Sequence, residues 1–280
     1  MTDIILPIIG QGSQPAEEDG AELGYLTMPE EMVTYRMPQI SASLNDPVLA
    51  PANAVAARLQ RDLRDYPKTQ GSIDLTGLDD ANRRFIDELV GEGEVSAIVG
   101  NDLKVQEAVL AGVWRIQSLD DENRIATDSL EVGVIPKALT LAAFAGAADH
   151  IDTDTANLPE GVMNAMPLLA ELNAKIATYQ AGNEAHIINL SLLPQTEQDL
   201  ALLEQRLGRG PVTILSRGYG NCRISATATR SVWWVQYFNS QDALILNTLE
   251  VSEMPNVACA SAEDIADSEQ RLREILQAYA

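Results

Sequence analysis

The feature that most limits what this chain can fold into is an internal duplication. Ile73-Asp74-Leu75-Thr76 returns as Ile188-Asn189-Leu190-Ser191, each followed by a polar helix start and an apolar helical stretch ending in glycine. Gly91-Glu92-Gly93-Glu94-Val95 returns as Gly208-Arg209-Gly210-Pro211-Val212, Val113-Trp114 as Val232-Trp233, and Leu130-Glu131-Val132 as Leu249-Glu250-Val251. Pro136 returns as Pro255 at the offset of the tryptophans. The offset shifts twice along the copies, as loop insertions between retained strands would make it do. One small unit, used twice, must therefore carry the fold.

Within each copy the pattern reads as a helix (79–90, then 196–207), a glycine turn, and a strand rich in β-branched residues (95–99, then 212–215). A longer strand follows (108–117, then 224–238), and then a third (130–135, then 244–251). The links between strands are short and carry turn residues, Gly100-Asn101-Asp102 or Gly218-Tyr219-Gly220-Asn221, which favours antiparallel meanders over parallel crossovers. The expected fold class is α+β: two tandem copies of a three-stranded, mostly antiparallel sheet with flanking helices, plus an extended N-terminal arm. The expected organisation is a proline-rich acidic arm over 1–50, a first repeat over 51–155, a connecting helical segment over 156–185 and a second repeat over 186–280. An amphipathic helix between Asn53 and Tyr66, stopped by Pro67, leads into the first repeat, and a helix over 262–279 closes the chain.

With 280 residues, 46% of them hydrophobic, the chain can fill a real core. Its 41 acidic against 19 basic residues give a formal charge of -22, which repels nucleic acid and anionic membrane surfaces. The longest apolar run, Ala138 to Ala148, has about half the length that crosses a bilayer. The N-terminus carries Asp3 where a secretory signal carries lysine or arginine. The expectation is a cytoplasmic protein with neither nucleic acid nor membrane as partner. Cys222 and Cys259, the two cysteines, are too few for a disulfide framework and read as reduced thiols.

No catalytic, cofactor or metal motif emerges. His150 and His186 stand alone, and Cys222 with Cys259 supplies at most half of a tetrahedral site. Cys222 has Arg223 beside it to lower its pKa but no base, so a structural cysteine is the preferred reading. Gly91-Glu92-Gly93 and Gly208-Arg209-Gly210 follow helices rather than strands and read as turns, not phosphate loops.

One window departs from the acidic background. From Gln205 to Gln241 there is no aspartate or glutamate, but there are Arg206, Arg209, Arg217, Arg223 and Arg230, with Tyr219, Trp233, Trp234, Tyr237 and Phe238. Arginines and aromatics are the residues enriched at protein–protein hot spots. Two readings compete. In one, a tryptophan of the Trp233-Trp234 pair fills the core, since neighbours on a strand face opposite sides, and the arginines pair with acids of the first copy. In the other, the outward tryptophan and the arginines form a docking surface. The candidate partner-binding residues are Arg217, Tyr219, Cys222, Arg223, Trp233, Trp234 and Tyr237.

The second copy, HIINLSLLPQTEQDLALLEQRLGRGPVTILSRGYGNCRISATATRSVWWVQYFNSQDALILNTLEVSEMPNVACASAEDI, resembles the C-terminal signature of the HupH/HyaF family of nickel-iron hydrogenase expression proteins. The segments GQGSQPAEEDGAELGYLTMPEEMVTYRMP, LTGLDDANRRFIDELVGEGEVSAIV and VQEAVLAGVWRI are similar to the same family. The resemblance implies a maturation factor without catalytic or cofactor residues. Its implied partner is the iron–sulfur small subunit precursor of an uptake hydrogenase before export, with other maturation proteins as further partners. It directs attention to Ser216–Ile224 and Val232–Phe238 as client contacts, with the acidic arm as a second contact. A carrier of iron, or of an iron–sulfur cluster, for that subunit is the alternative, motivated by Cys222 and Cys259.

Overall fold

The computed structural model describes residues 46–69, 71–218 and 220–279. The arm expected over 1–50 and the candidate Tyr219 therefore lie outside the described residues, apart from the short segment from Asp46 onward. After a 3-10 turn at Pro47–Leu49, the first half runs α1 (Ala50–Asp65), β1 (Ser72–Asp74), α2 (Asp80–Val90), β2 (Val95–Val99), β3 (Leu103–Glu107), β4 (Val113–Leu119), β5 (Ile125–Val132) and α3 (Lys137–Ala143). The second runs α4 (Ala165–Thr178), β6 (His186–Asn189), α5 (Glu197–Leu207), β7 (Val212–Ser216), β8 (Asn221–Ala226), β9 (Val232–Phe238) and β10 (Leu244–Val251), then a 3-10 turn at Asn256–Ala258 and α6 (Ala262–Ala278).

The fold is α+β, but the sheet is not three-stranded. All ten strands form one antiparallel sheet in the order β1-β5-β4-β3-β2-β7-β8-β9-β10-β6, so each half contributes five. Two are short edge strands, β1 and β6, which belong to the repeated Ile-Asp/Asn-Leu motif. The other two arise differently in the two halves: the strand expected over 224–238 is split into β8 and β9, whereas the one expected over 108–117 covers only a turn and most of β4, and β3 lies before it. Between β3 and β4 the link Ala108–Gly112 is apolar and partly buried, so it reads as continuous strand. It turns because Val113 N–H returns to Leu110 O at 3.0 Å and Gly112 takes a left-handed φ of 78°. Between β8 and β9, Thr227 donates its hydroxyl to Val232 O at 2.9 Å, and Ser231 adopts φ 63° at the position equivalent to Gly112.

The halves meet through their equivalent strands. Ala97 of β2 pairs with Ile214 of β7, its own counterpart in the repeat, and the pairs Val95–Ser216 and Val99–Val212 exchange roles around it. A pseudo-twofold axis thus passes through the centre of the sheet.

Equivalent polar anchors also hold equivalent helices. Asn82, in the first turn of α2, is buried and accepts from Ala52 N–H at 2.9 Å near the start of α1. Asp199, its counterpart in α5, is buried and accepts from Met163, Asn164 and Ala165 N–H at 2.8–2.9 Å at the start of α4. Each helix starts at a side-chain cap, Asp79 for α2 and Thr196 with a reciprocal capping box for α5.

One sheet face carries two separate apolar cores. The first packs α1, α2 and α6 on β1, β4 and β5 through residues such as Leu59, Phe85, Leu130 and Leu272; the second packs α4 and α5 on β6, β9 and β10 through Leu169, Leu203 and Leu249. The other face has a single core shared by both halves, with Trp114 and Trp233 at its centre and α3 and the Asn256–Ala258 turn over it. The final helix, placed by sequence in the second repeat, packs by Ile265, Leu272 and Ile275 on the core of the first. In the opposite direction, the chain after α3 sends Ile151 into the core of the second. Each half is completed by the tail of the other.

Candidate partner-binding surface

Strand alternation sorts the candidate residues onto opposite faces. On β8 and β9, Cys222, Trp233 and Tyr237 point to the shared core, while Arg223 and Trp234 point away with Gln236 and Phe238. Trp233 is 0% exposed, with the ring of Phe144 edge-on at 5.1 Å, and Cys222 is 1% exposed. These two leave the contact set, because a partner could reach them only by opening the core. Burial pushes the Cys222 thiol up to about 12, against a hydrogen bond with Tyr237 that pulls the other way. Tyr237 is half-buried at the margin of the same core and engaged with Cys222, so it too is a packing residue.

The arginines divide likewise. Arg206 pairs with Asp152, Arg230 with Asp149 at 2.7 Å, and Arg209 with Glu204 at 2.5 Å. Two of the five are thus joined to acids of the first copy's trailing segment. Arg223 lies over the Phe238 ring, 5.6 Å from its centroid, with no carboxylate within ion-pair distance among the described residues. Its pKa is lowered by burial and then by the nearby Arg209 guanidinium. Arg217 donates its backbone N–H to Glu94 O at 3.1 Å, extending the central strand pair by one step, and its buried Nε has no hydrogen-bond partner among the described residues. Half-buried Trp234 donates its indole N–H to Asn247 Oδ1 at 2.6 Å. The candidates left on the outward face are Arg217, Arg223 and Trp234, with Phe238 of the Val232–Phe238 strand beside them.

A second feature is absent from the sequence reading. Met163, Leu192, Leu193, Leu244 and Ile245 are exposed. Ser191 ties two of their segments together by accepting Asn247 N–H at 2.9 Å, and Asn164 Nδ2 donates to Pro194 O. The available signal was Leu244-Ile245-Leu246, three consecutive apolar residues on a strand, which cannot all face one core.

Cys259 is half-buried, its thiol pushed up to about 11 by burial. His186 Nε2 lies 2.7 Å from Glu171 Oε1, and His150 lies 3.4 Å from Asn173 Nδ2. Among the described residues no three His, Cys, Asp or Glu side chains are grouped to hold a metal ion, and no helix is long and apolar enough to cross a membrane.

Comparison with known proteins gives a consistent result. The family described as HupH hydrogenase expression protein, C-terminal conserved region, matches over residues 49–153 and again over 162–279, so each match covers one half of the duplication. Hydrogenase expression/formation protein HoxQ of Cupriavidus necator is 42% identical over 283 residues, spanning 99% of this chain and 98% of that protein. Hydrogenase expression/formation protein HupH of Rhodobacter capsulatus is 46% identical over 96% of this chain and 95% of its own length. Hydrogenase-1 operon protein HyaF of Escherichia coli is 31% identical over 99% and 97%.

Proposed function

Because this chain belongs to the HupH family of hydrogenase expression proteins, we propose that it is a hydrogenase maturation factor that holds the iron–sulfur small subunit precursor of a nickel-iron hydrogenase before export. The observation that carries the reading is the outward side of β8 and β9. There Arg223 is stacked on Phe238 and flanked by Trp234 and Arg217, without the carboxylates that engage the neighbouring arginines. A guanidinium and two aromatic rings on a rigid strand pair form a low-entropy contact surface of the kind that anchors protein partners. The chemistry that remains is binding. Cys222 lies buried in the shared core beside Tyr237 and Glu250, and burial pushes its thiol up to about 12, which disfavours the thiolate at neutral pH.

The test is an anaerobic pull-down of the tagged protein from cells making the hydrogenase, with iron analysis of the eluate, for wild type and Arg217→Glu/Trp234→Ala. Recovery of the precursor by wild type alone supports client binding through this surface. Stoichiometric iron without a hydrogenase subunit would replace the reading with that of a metal or cluster carrier. In that case Cys222→Ser and Cys259→Ser should abolish the iron.

A further inference from the structure

Among the described residues, neither lobe core extends over the middle of the helix-bearing face. β2, β3, β7 and β8 contribute no residue of that face to either core. Register places Lys104, Ile98, Thr213 and Ser225 in one row across these strands, and Gln106, Ser96, Leu215 and Arg223 in the next. On these four strands this face carries two cations and no carboxylate, in a chain of net charge -22. The cations are not scattered. Val105 pairs with Ala97 as Ile224 pairs with Ile214, so Lys104 and Arg223 are equivalent positions of the duplication, on either side of the pseudo-twofold axis. Lys104 is exposed and Arg223 half-buried, and neither has an ion pair among the described residues. Arg217 continues the second half's row of cations by one step. Glu94 stands at that margin with its carboxylate against Gly218, where an added Cβ would lie 2.2 Å from Oε2.

Resting on the client reading above, we propose that this central strip is a docking floor for an extended acidic segment of the partner, whose Asp or Glu side chains are taken by Lys104 on one side of the axis and Arg223 on the other. Three strand spacings and one pleat repeat separate the two positions, about 16 Å, which an extended chain of about five residues spans. Charge complementarity selects the occupant. The protein as a whole repels anions, and this strip is where an anion meets cations with no competing carboxylate on the same face of these strands. Arg223 is half-desolvated beside Arg209, so an incoming carboxylate relieves a like-charge contact as well as pairing.

The experiment uses the full chain in two arms. In the first, a fluorescein-labelled decaglutamate peptide is titrated at low ionic strength against wild type, Lys104→Gln/Arg223→Gln and, as a control, Arg124→Gln, whose ion pairs lie in the β4–β5 turn. Saturable binding by wild type and the control, weakened about tenfold in the double variant with an unchanged circular dichroism spectrum, is expected. No saturable binding by wild type, equal binding by the double variant, or tighter binding of a decathymidylate than of the peptide would overturn the proposal. In the second arm the same variants are used to capture the hydrogenase precursor. Capture by wild type and double variant alike removes the acidic-segment proposal and leaves client binding standing. Peptide binding without capture of the precursor removes the client reading and leaves the carboxylate floor standing.

Discussion

The 2.6 Å hydrogen bond from Trp234 Nε1 to Asn247 Oδ1 occupies the two positions that carry Arg115 and Asp128 in the first half. There Arg115 donates to Asp128 at 2.7 and 2.9 Å and also reaches Asp87, and the Asp128 side chain is 1% exposed. The duplication keeps the geometry in both copies, with a structural ion pair in one and a neutral aromatic pair in the other, on the surface proposed for the client. The two pairs should respond differently to truncation. Asp128→Ala leaves the largely buried Arg115 guanidinium with Asp87 as its remaining partner and should cost about 2–3 kcal/mol in urea denaturation. Asn247→Ala removes one half-buried hydrogen bond and should cost about 1 kcal/mol. Equal losses would mean that the ion pair carries no more of the fold than its neutral replacement.

Asp199 ties α5 to the start of α4, and it predicts an acid limit to stability. Burial alone would raise its pKa, but the N–H groups of Thr196, Ala165, Met163 and Asn164 outweigh that and hold it down at about 2. A depressed carboxylate stabilises the fold above its unfolded value, near 4, and loses that contribution as pH falls toward 2. The contribution is up to about 2 kcal/mol. In wild type the denaturation midpoint should fall between pH 4 and 2, and in Asp199→Asn this segment of the profile should flatten. A variant that keeps the wild-type acid slope would show that other carboxylates set it.

Much of the fold was legible because it is local. The caps Asp79 and Thr196 placed α2 and α5 within one residue, and the β-branched run 95–99 coincides with β2. What escaped is what depends on tertiary context. The apolar Ala108–Gly112 turn reads as the start of a strand, so the expected strand runs from that turn into β4, and β3, which precedes it, goes unread. Nothing in Val95–Val99 says that its free edge meets Val212–Ser216, since strands apolar on both faces suit the middle of a sheet and a packed edge alike. The face of Ile265, Leu272 and Ile275 announces a buried helix but not which core receives it. At the site, alternation separates Trp233 from Trp234 without saying which is inside. The acid-free window likewise could not reveal that Arg206 and Arg230 already have Asp152 and Asp149 as partners.

The equivalent turn positions Gly112 and Ser231 give opposite expectations. Both are left-handed, with φ 78° and 63°, but a Cβ on Gly112 would lie 2.4 Å from Ile265 Cγ1. Gly112→Ala should therefore both strain its turn and push α6 from the first core, costing roughly 2–3 kcal/mol in thermal or urea unfolding. Ser231→Gly should relieve the left-handed strain and be neutral to stabilising by up to about 1 kcal/mol. If Gly112→Ala is as mild as a surface substitution, the crossing of α6 onto the first half is not what completes that core.

Glu107 predicts a pH dependence of opposite sign to that of Asp199. Its side chain enters the junction of β3, the Gly112 turn and the start of α6; burial pushes its pKa up to about 7, the Gly112 N–H at 3.3 Å pulls it down, and Glu94 and Asp264 add to the rise. A raised carboxylate is held protonated in the folded chain but ionises near 4.5 in the unfolded one. The fold binds the extra proton between those values, and stability declines as pH rises from about 4.5 to 7. Glu107→Gln retains the acceptor for Gly112 and removes the titration. It should match wild type near pH 4.5 and exceed it at pH 8 by at most about 3 kcal/mol, since 1 pKa unit is worth about 1.4 kcal/mol. Denaturation midpoints at the two pH values decide it: a variant no more stable than wild type at pH 8 would mean that water or a shift of Glu94 already relieves the buried charge.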